Sequence, residues 1–125
     1  MTKRVLIIDD EVGIRKITQI ALNAIAGWEV LMAESGPEGI AIAQTAQPDA
    51  ILLDVMMPEM DGIATFENLQ ANGATQTIPV ILLTAKAQLF ERQQFTALGV
   101  TGVITKPFKA PELVQQMRDL LNWHE

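Results

Sequence analysis

Four stretches of the chain are apolar without a break: Val5-Leu6-Ile7-Ile8, Ala50-Ile51-Leu52-Leu53, Val80-Ile81-Leu82-Leu83 and the weaker Val103-Ile104. A strand with one wet face alternates apolar and polar side chains, whereas unbroken runs of this length suit parallel strands covered on both faces. A fifth candidate, Trp28-Glu29-Val30-Leu31-Met32-Ala33, partly alternates and is expected nearer a sheet edge. Parallel neighbours need long crossovers, usually helical, and the intervening segments carry helical patterns. Ile14, Ile17, Ala21, Leu22 and Ile25 form an apolar stripe at helical spacing, and Leu113, Met117, Leu120 and Leu121 form another. Ser35-Gly36-Pro37-Glu38 reads as a capping box with proline in the first turn, predicting a helix over residues 36 to 46. Asp61-Gly62 followed by Ile63, Phe66 and Leu69 predicts a third helix ended near Asn72-Gly73. Residues 87 to 98, with Leu89, Phe90, Phe95 and Leu98, predict a fourth. Strand and helix thus alternate five times, the pattern of a doubly wound α/β sandwich.

The 125 residues fit a single domain, 1–125, in which roughly two-thirds of the unfolded chain's surface is buried. No apolar stretch approaches the roughly 18 residues of a membrane span, and the opening MTKRVLIIDD runs into acid rather than into a signal-peptide core, so a cytoplasmic protein without membrane insertion is expected. The absence of cysteine excludes disulfides, thiolate metal sites and cysteine nucleophiles. A net charge of -6 without clustered Lys and Arg argues against direct nucleic-acid binding.

The polar residues that follow the apolar runs carry the functional signal. Asp9 and Asp10 follow the first, Asp54 follows Leu53, Thr84 follows Leu83, and Lys106 lies just beyond Ile104. In an open parallel sheet the carboxyl ends of the strands line one edge, and ligands bind there where the strand order reverses. A single Asp at a strand end is commonly a turn former or helix cap. Asp-Asp, Asp and Thr on three strands, with a Lys on another, form a set.

Two carboxylates about 4 Å apart repel by roughly 4 kcal/mol at an effective dielectric near 20, so a cluster of three needs a cation. The donors are all oxygens, with no His or Cys nearby, which suits a hard ion; Mg²⁺ takes one or two carboxylates, keeps waters and shares its remaining positions with phosphate. A carboxylate can itself attack phosphorus to form an aspartyl phosphate, a transfer governed by positioning and charge neutralisation. Mg²⁺ would then neutralise one phosphoryl oxygen and Lys106 another, while the Thr84 hydroxyl donates to a third. Asp9 and Asp10, adjacent to each other and to Glu11, suit metal ligation. Asp54, alone between Leu53 and Val55, is the expected acceptor.

Asp9-Asp10, the stretch Asp54-Val55-Met56-Met57-Pro58-Glu59-Met60-Asp61-Gly62, Thr84-Ala85 and Lys106-Pro107-Phe108 resemble, in order and spacing across the whole chain, the receiver domain of two-component response regulators. The resemblance implies a flavodoxin-like five-stranded parallel sheet in the order 2-1-3-4-5 with five helices. It implies phosphoryl transfer to Asp54 from a phosphohistidine on a sensor histidine kinase or histidine phosphotransfer protein. It implies Mg²⁺, with Mn²⁺ as a substitute, held by Asp10, Asp54 and the backbone carbonyl of Met56, with Asp9 helping through water. Thr84 would swing toward the phosphate as the switch residue, beside the backbone of Ala85 and the Lys106 ammonium, and the Lys106-Pro107 bond would be cis. Apart from its own phosphorylation and slow autodephosphorylation, such a domain is not an enzyme. Three residues before Lys106, where the family usually carries a large ring, stands Val103, so the switch signal is expected to travel through loop movement around residues 85 to 90. Met56 and Lys86 occupy family positions that influence how fast the phosphoryl group is lost.

Two other readings share parts of this set. A phosphohydrolase of the haloacid-dehalogenase type would carry an Asp two residues after its nucleophile as general acid and base; Met56 stands there and cannot move protons. An FMN carrier of the same fold would cradle phosphate in its first loop, where Asp9, Asp10 and Glu11 would repel it. A receiver that takes no phosphate and only docks is the remaining alternative. The chain ends at Glu125 after the last helix pattern, so a receiver without an output domain is expected, acting by protein contact or as a relay intermediate. Ile14, Ile17, Pro107 and Phe108 are the expected kinase-docking patch. The face built from residues 87 to 98, 102 to 105 and 110 to 121 is expected to meet the downstream target, with Phe90 or Phe95 as a candidate anchor. Trp123 and His124 are expected to close the last helix.

Overall fold

The computed structural model describes residues 2–57, 60–85 and 89–123, with the backbone alone for residues 89–92. Its strands are β1 (Arg4–Ile8), β2 (Glu29–Ala33), β3 (Ala50–Asp54), β4 (Val80–Thr84) and β5 (Gly102–Thr105). They form one parallel sheet in the order β2-β1-β3-β4-β5, linked by α1 (Val12–Ala21), α2 (Gly36–Ala46), α3 (Gly62–Ala71) and α4 (Leu89–Ala97), and followed by α5 (Ala110–Leu121). The three central strands are covered on both faces, which is why their side chains are apolar at successive positions. Leu6, Ile8, Ile51, Leu53 and Leu82 point to one face and pack with Phe66 and Leu69 of α3 and Ala43 of α2. Val5, Ile7, Leu52, Ile81 and Leu83 point to the other and pack with Leu22 and with Leu113, Val114 and Met117 of α5. β2 lies at one edge, in keeping with its broken alternation, and the weakest run, β5, lies at the other.

Strand order reverses between β1 and β3, and in their register Ile8 lies opposite Leu53. The residues that follow, Asp9 and Asp54, therefore leave the sheet side by side at the switch point.

Three expectations need correction. The apolar stripe on α1 is turned: Ile17 is 55% exposed and Ile25 43%, while Thr18, Ala21 and Leu22 are buried. α1 carries apolar residues on both flanks, Val12 and Ile20 also being exposed, and a π-helical turn over Leu22–Ala26 adds a residue that breaks the 3.6 period before Ile25. The capping box at α2 is shifted: the Ser35 hydroxyl accepts the Glu38 N–H at 3.3 Å, but the Glu38 carboxylate accepts from Glu34 rather than from the cap residue. On α5, Val114 is buried, whereas Leu120 is 37% exposed. Trp123 does close the end of α5, its N–H donating to Arg118 O at 2.9 Å. His124 lies outside the described residues, as do Pro58, Glu59 and Lys86.

Candidate functional site

β1 delivers Asp9, and its backbone N–H donates to Ala33 O at 3.1 Å, carrying the β1–β2 pairing one residue past the strand. Asp9 is fully buried; its Oδ1 accepts the Glu11 N–H at 2.9 Å, turning the chain toward α1. Asp54 is the last residue of β3 and is 3% exposed. Lys106, just past β5, reaches between the two acids: Nζ lies 3.0 Å from Asp9 Oδ2 and 3.2 Å from Asp54 Oδ1, with Glu11 Oε1 at 3.9 Å on the exposed rim. The Lys106 backbone N–H donates to Thr84 O at 2.8 Å, and the Lys106–Pro107 peptide is cis. Thr84 ends β4 with its side chain buried, and Ala85 beside it is exposed.

Asp10 is exposed and completes the acidic group: one oxygen from each of Asp9, Asp10 and Asp54 lies within 4.8 Å of the others. This oxygen-only set, with two of its three members buried, fits a hard divalent cation and would repel an anion arriving without one. Met56, 69% exposed, turns back over Asp54, its N–H donating to Asp54 Oδ1 at 3.4 Å.

Burial pushes Asp54 from the ordinary 3.8 up to about 6, with the Asp9 charge adding to the rise and the Lys106 ammonium and Met56 N–H opposing it. Burial alone would lower Lys106. Its hydrogen bonds and charge contacts with Asp9 and Asp54 outweigh that and hold it above its ordinary value. Asp54 is therefore a buried carboxylate whose charged form would gain from added positive charge.

Two structural contributors were not singled out from sequence. The Arg15 guanidinium donates from Nη1 to Asp9 O at 2.8 Å. Gly62 starts α3 directly beneath Asp54, where an added Cβ would collide with the Asp54 carbonyl oxygen, and its N–H donates to Val55 O at 2.9 Å. The Asp-Gly pair signalled a turn, but nothing in it signalled that close approach. Val103 is half-buried and packs, with Phe95, against the core on the α2 and α3 face.

The response regulator receiver domain model matches residues 5–118. The chain belongs to this family. Receiver domains of this kind act as phosphorylation-dependent signalling switches. The chain is 40% identical over 119 residues to the phosphate regulon transcriptional regulatory protein PhoB of Pseudomonas aeruginosa, covering 95% of this chain and 52% of PhoB. It is 39% identical over 118 residues to the DNA-binding dual master transcriptional regulator RpaA of Synechocystis, covering 94% of this chain and 48% of RpaA. The receiver domain thus spans about half the length of these curated relatives, which are named as regulators rather than as enzymes. Its backbone superposes on the chemotaxis response regulator CheY4 of Vibrio cholerae with a TM-score of 0.89 at 32% identity, covering 96% of this chain and 99% of that one. Among the described residues no helix is long and apolar enough to cross a membrane.

Proposed function

We propose that this receiver domain takes a phosphoryl group on Asp54 from a phosphohistidine of a sensor histidine kinase or histidine phosphotransfer protein, in a Mg²⁺-dependent transfer in the cytoplasm. The observation that carries the reading is the half-buried Lys106 ammonium bridging Asp9 and Asp54 at 3.0 and 3.2 Å, beside an exposed Asp10. The free Asp54 oxygen forms a bond to phosphorus while the phosphorus–nitrogen bond breaks and the imidazole keeps its electron pair. Lys106 exchanges its contact with Asp54 for a phosphoryl oxygen and keeps Asp9. The Thr84 hydroxyl donates to a second oxygen, and the backbone of Ala85 closes on the phosphate. When bound, Mg²⁺, or Mn²⁺ in its place, supplies the charge that offsets the acid cluster and the incoming phosphate. Asp10, Asp54 and the Met56 carbonyl would hold it, with Asp9 acting through water. Met56 offers no base to activate water, so the aspartyl phosphate outlasts its formation and serves as a signal. With Val103 in place of a ring, that signal runs from Thr84 through the loop that follows β4.

Ile17 and Pro107 are exposed, while Ile14 and Phe108 are half-buried, so the proposed kinase contact rests mainly on the first two. For the downstream target, Leu98 and Leu120 are the exposed apolar residues of the proposed face, Phe95 is half-buried, and the Phe90 side chain lies outside the described residues.

The test is intact-protein mass spectrometry after incubation with Mg²⁺ and acetyl phosphate. One phosphoryl increment is expected for the wild type, and none for Asp54→Asn or in chelator. No increment on a folded wild-type protein would replace this reading with that of a docking module that takes no phosphate.

A further inference from the structure

Asp9 is tied at all four of its hydrogen-bonding groups. Its N–H goes to Ala33 O at 3.1 Å, its Oδ1 receives the Glu11 N–H at 2.9 Å, and its Oδ2 receives Lys106 Nζ at 3.0 Å. The fourth tie is of a different kind. The Asp9 carbonyl oxygen receives Arg15 Nη1 at 2.8 Å, from a half-buried side chain rooted on α1. That carbonyl belongs to the peptide that joins Asp9 to Asp10. The peptide is planar, so fixing its oxygen fixes the plane from which Asp10 departs. Asp10 is exposed, so the backbone beneath it weighs heavily in setting its direction.

We propose that Arg15 is a positioning residue: by holding the Asp9–Asp10 peptide it aims the Asp10 carboxylate into the acidic site and raises the site's affinity for a divalent cation. The inference rests on the reading of Asp10 as a metal ligand. Arg15 touches neither the cation nor the phosphoryl group. Its own anchoring is firm, since the Arg15 N–H donates to Glu11 O at 3.1 Å in the first turn of α1.

Charge and geometry make opposite predictions, which allows a clean test. A guanidinium near an acidic cluster repels an incoming cation, so an Arg15 that acted through charge alone would weaken Mg²⁺ binding, and its removal would tighten it. A positioning Arg15 strengthens binding, and its removal weakens it. Residues that orient metal ligands typically cost about 10-fold to 100-fold in metal affinity when lost. The experiment is calorimetric titration of Mg²⁺ into wild type, Arg15→Met and Arg15→Lys, with thermal unfolding of each in chelator and phosphoryl incorporation at rising Mg²⁺. Arg15→Met is expected to bind Mg²⁺ about tenfold more weakly while melting near the wild type. Its phosphoryl incorporation should return toward the wild-type rate when Mg²⁺ is saturating. Arg15→Lys, which keeps a donor for the carbonyl, should recover part of the affinity. Unchanged or tighter binding in Arg15→Met overturns the proposal and leaves the metal site standing. Absence of Mg²⁺ binding by the wild type overturns the metal reading itself. Should Arg15→Met not fold, Arg15→Gln is held to the same criterion.

Discussion

At the amino-terminal end of the sheet, Trp28 meets Trp123 edge to face with ring centroids 5.1 Å apart, and Lys3 and Arg118 lie over the Trp123 and Trp28 rings at 5.0 and 5.7 Å. At the carboxyl end, two buried carboxylates share one half-buried ammonium, and a third carboxylate stands at the rim. Cations over aromatic faces, with the Arg4 N–H held by an Asp49 carboxylate at 2.8 Å, add to stability without burying uncompensated charge. The carboxyl end does the reverse, keeping two like charges out of water with one counter-charge between them. One end is therefore expected to set how stable the domain is, and the other to set what it responds to.

The largest effect should come from the end that does no chemistry. Trp28→Ala removes a ring that is only 4% exposed and should cost about 3–5 kcal/mol in urea unfolding. Its folded fraction should still take a phosphoryl group from acetyl phosphate in Mg²⁺. Loss of that reaction in the folded fraction would show that the two ends are not separable.

Lys106→Met strikes the opposite end. It strands Asp9 and Asp54 as buried anions, and removing one partner of a buried ion pair typically costs about 3 kcal/mol or more. The loss should be largest in chelator and should shrink on adding Mg²⁺, a rescue that Trp28→Ala should not show. Equal losses with and without Mg²⁺ would mean that the carboxylates hold no cation.

Asp54 gives the same contrast as a function of pH. Its folded-state value of about 6 lies above the ordinary 3.8, so between those values the folded, metal-free protein binds more protons than the unfolded chain. Unfolding free energy contributed by this group therefore falls as pH rises from about 4 to about 6 and stays low above that, a change of about 3 kcal/mol at most. Asp54→Asn should abolish this component and make the metal-free domain the more stable of the two above pH 6. Parallel stability–pH curves for the two proteins would remove the electrostatic conflict from this account.

That conflict explains which parts of the molecule could be read in the sequence. The unbroken runs of β1, β3 and β4 are legible because burial on both faces leaves no other solution, and Asp9, Asp54, Thr84 and Lys106 are legible as a set, because polar and charged groups at the ends of several such runs together have few structural reasons to be there. α1 was harder to read. With Val12, Ile17 and Ile20 exposed and Thr18 buried, its sequence carries two candidate faces, and only tertiary packing, including that against α5, chooses between them. Arg15 stayed hidden for a related reason: its partner is a backbone carbonyl, which no residue type announces. Gly62 was visible as a turn, but its closeness to the Asp54 carbonyl exists only once α3 is docked.

The smallest predicted effect draws the boundary between the two kinds of end. Asp61 lies near the site in sequence and carries a carboxylate, yet its Oδ1 accepts the Ala64 N–H at 2.8 Å and its side chain belongs to no acidic cluster among the described residues. It is an N-cap for α3, and Asp61→Ala should cost about 1 kcal/mol of stability, the usual loss for such a cap. Mg²⁺ affinity measured by calorimetry should stay at the wild-type value, because α3 is held at this end also by the Gly62 N–H on Val55 O. A fall in affinity that matched the fall in stability would mean that the cap, and not the three carboxylates alone, sets the geometry of the site. Stability and response would then share a residue at the carboxyl end, and the division between the ends would have to be redrawn along α3.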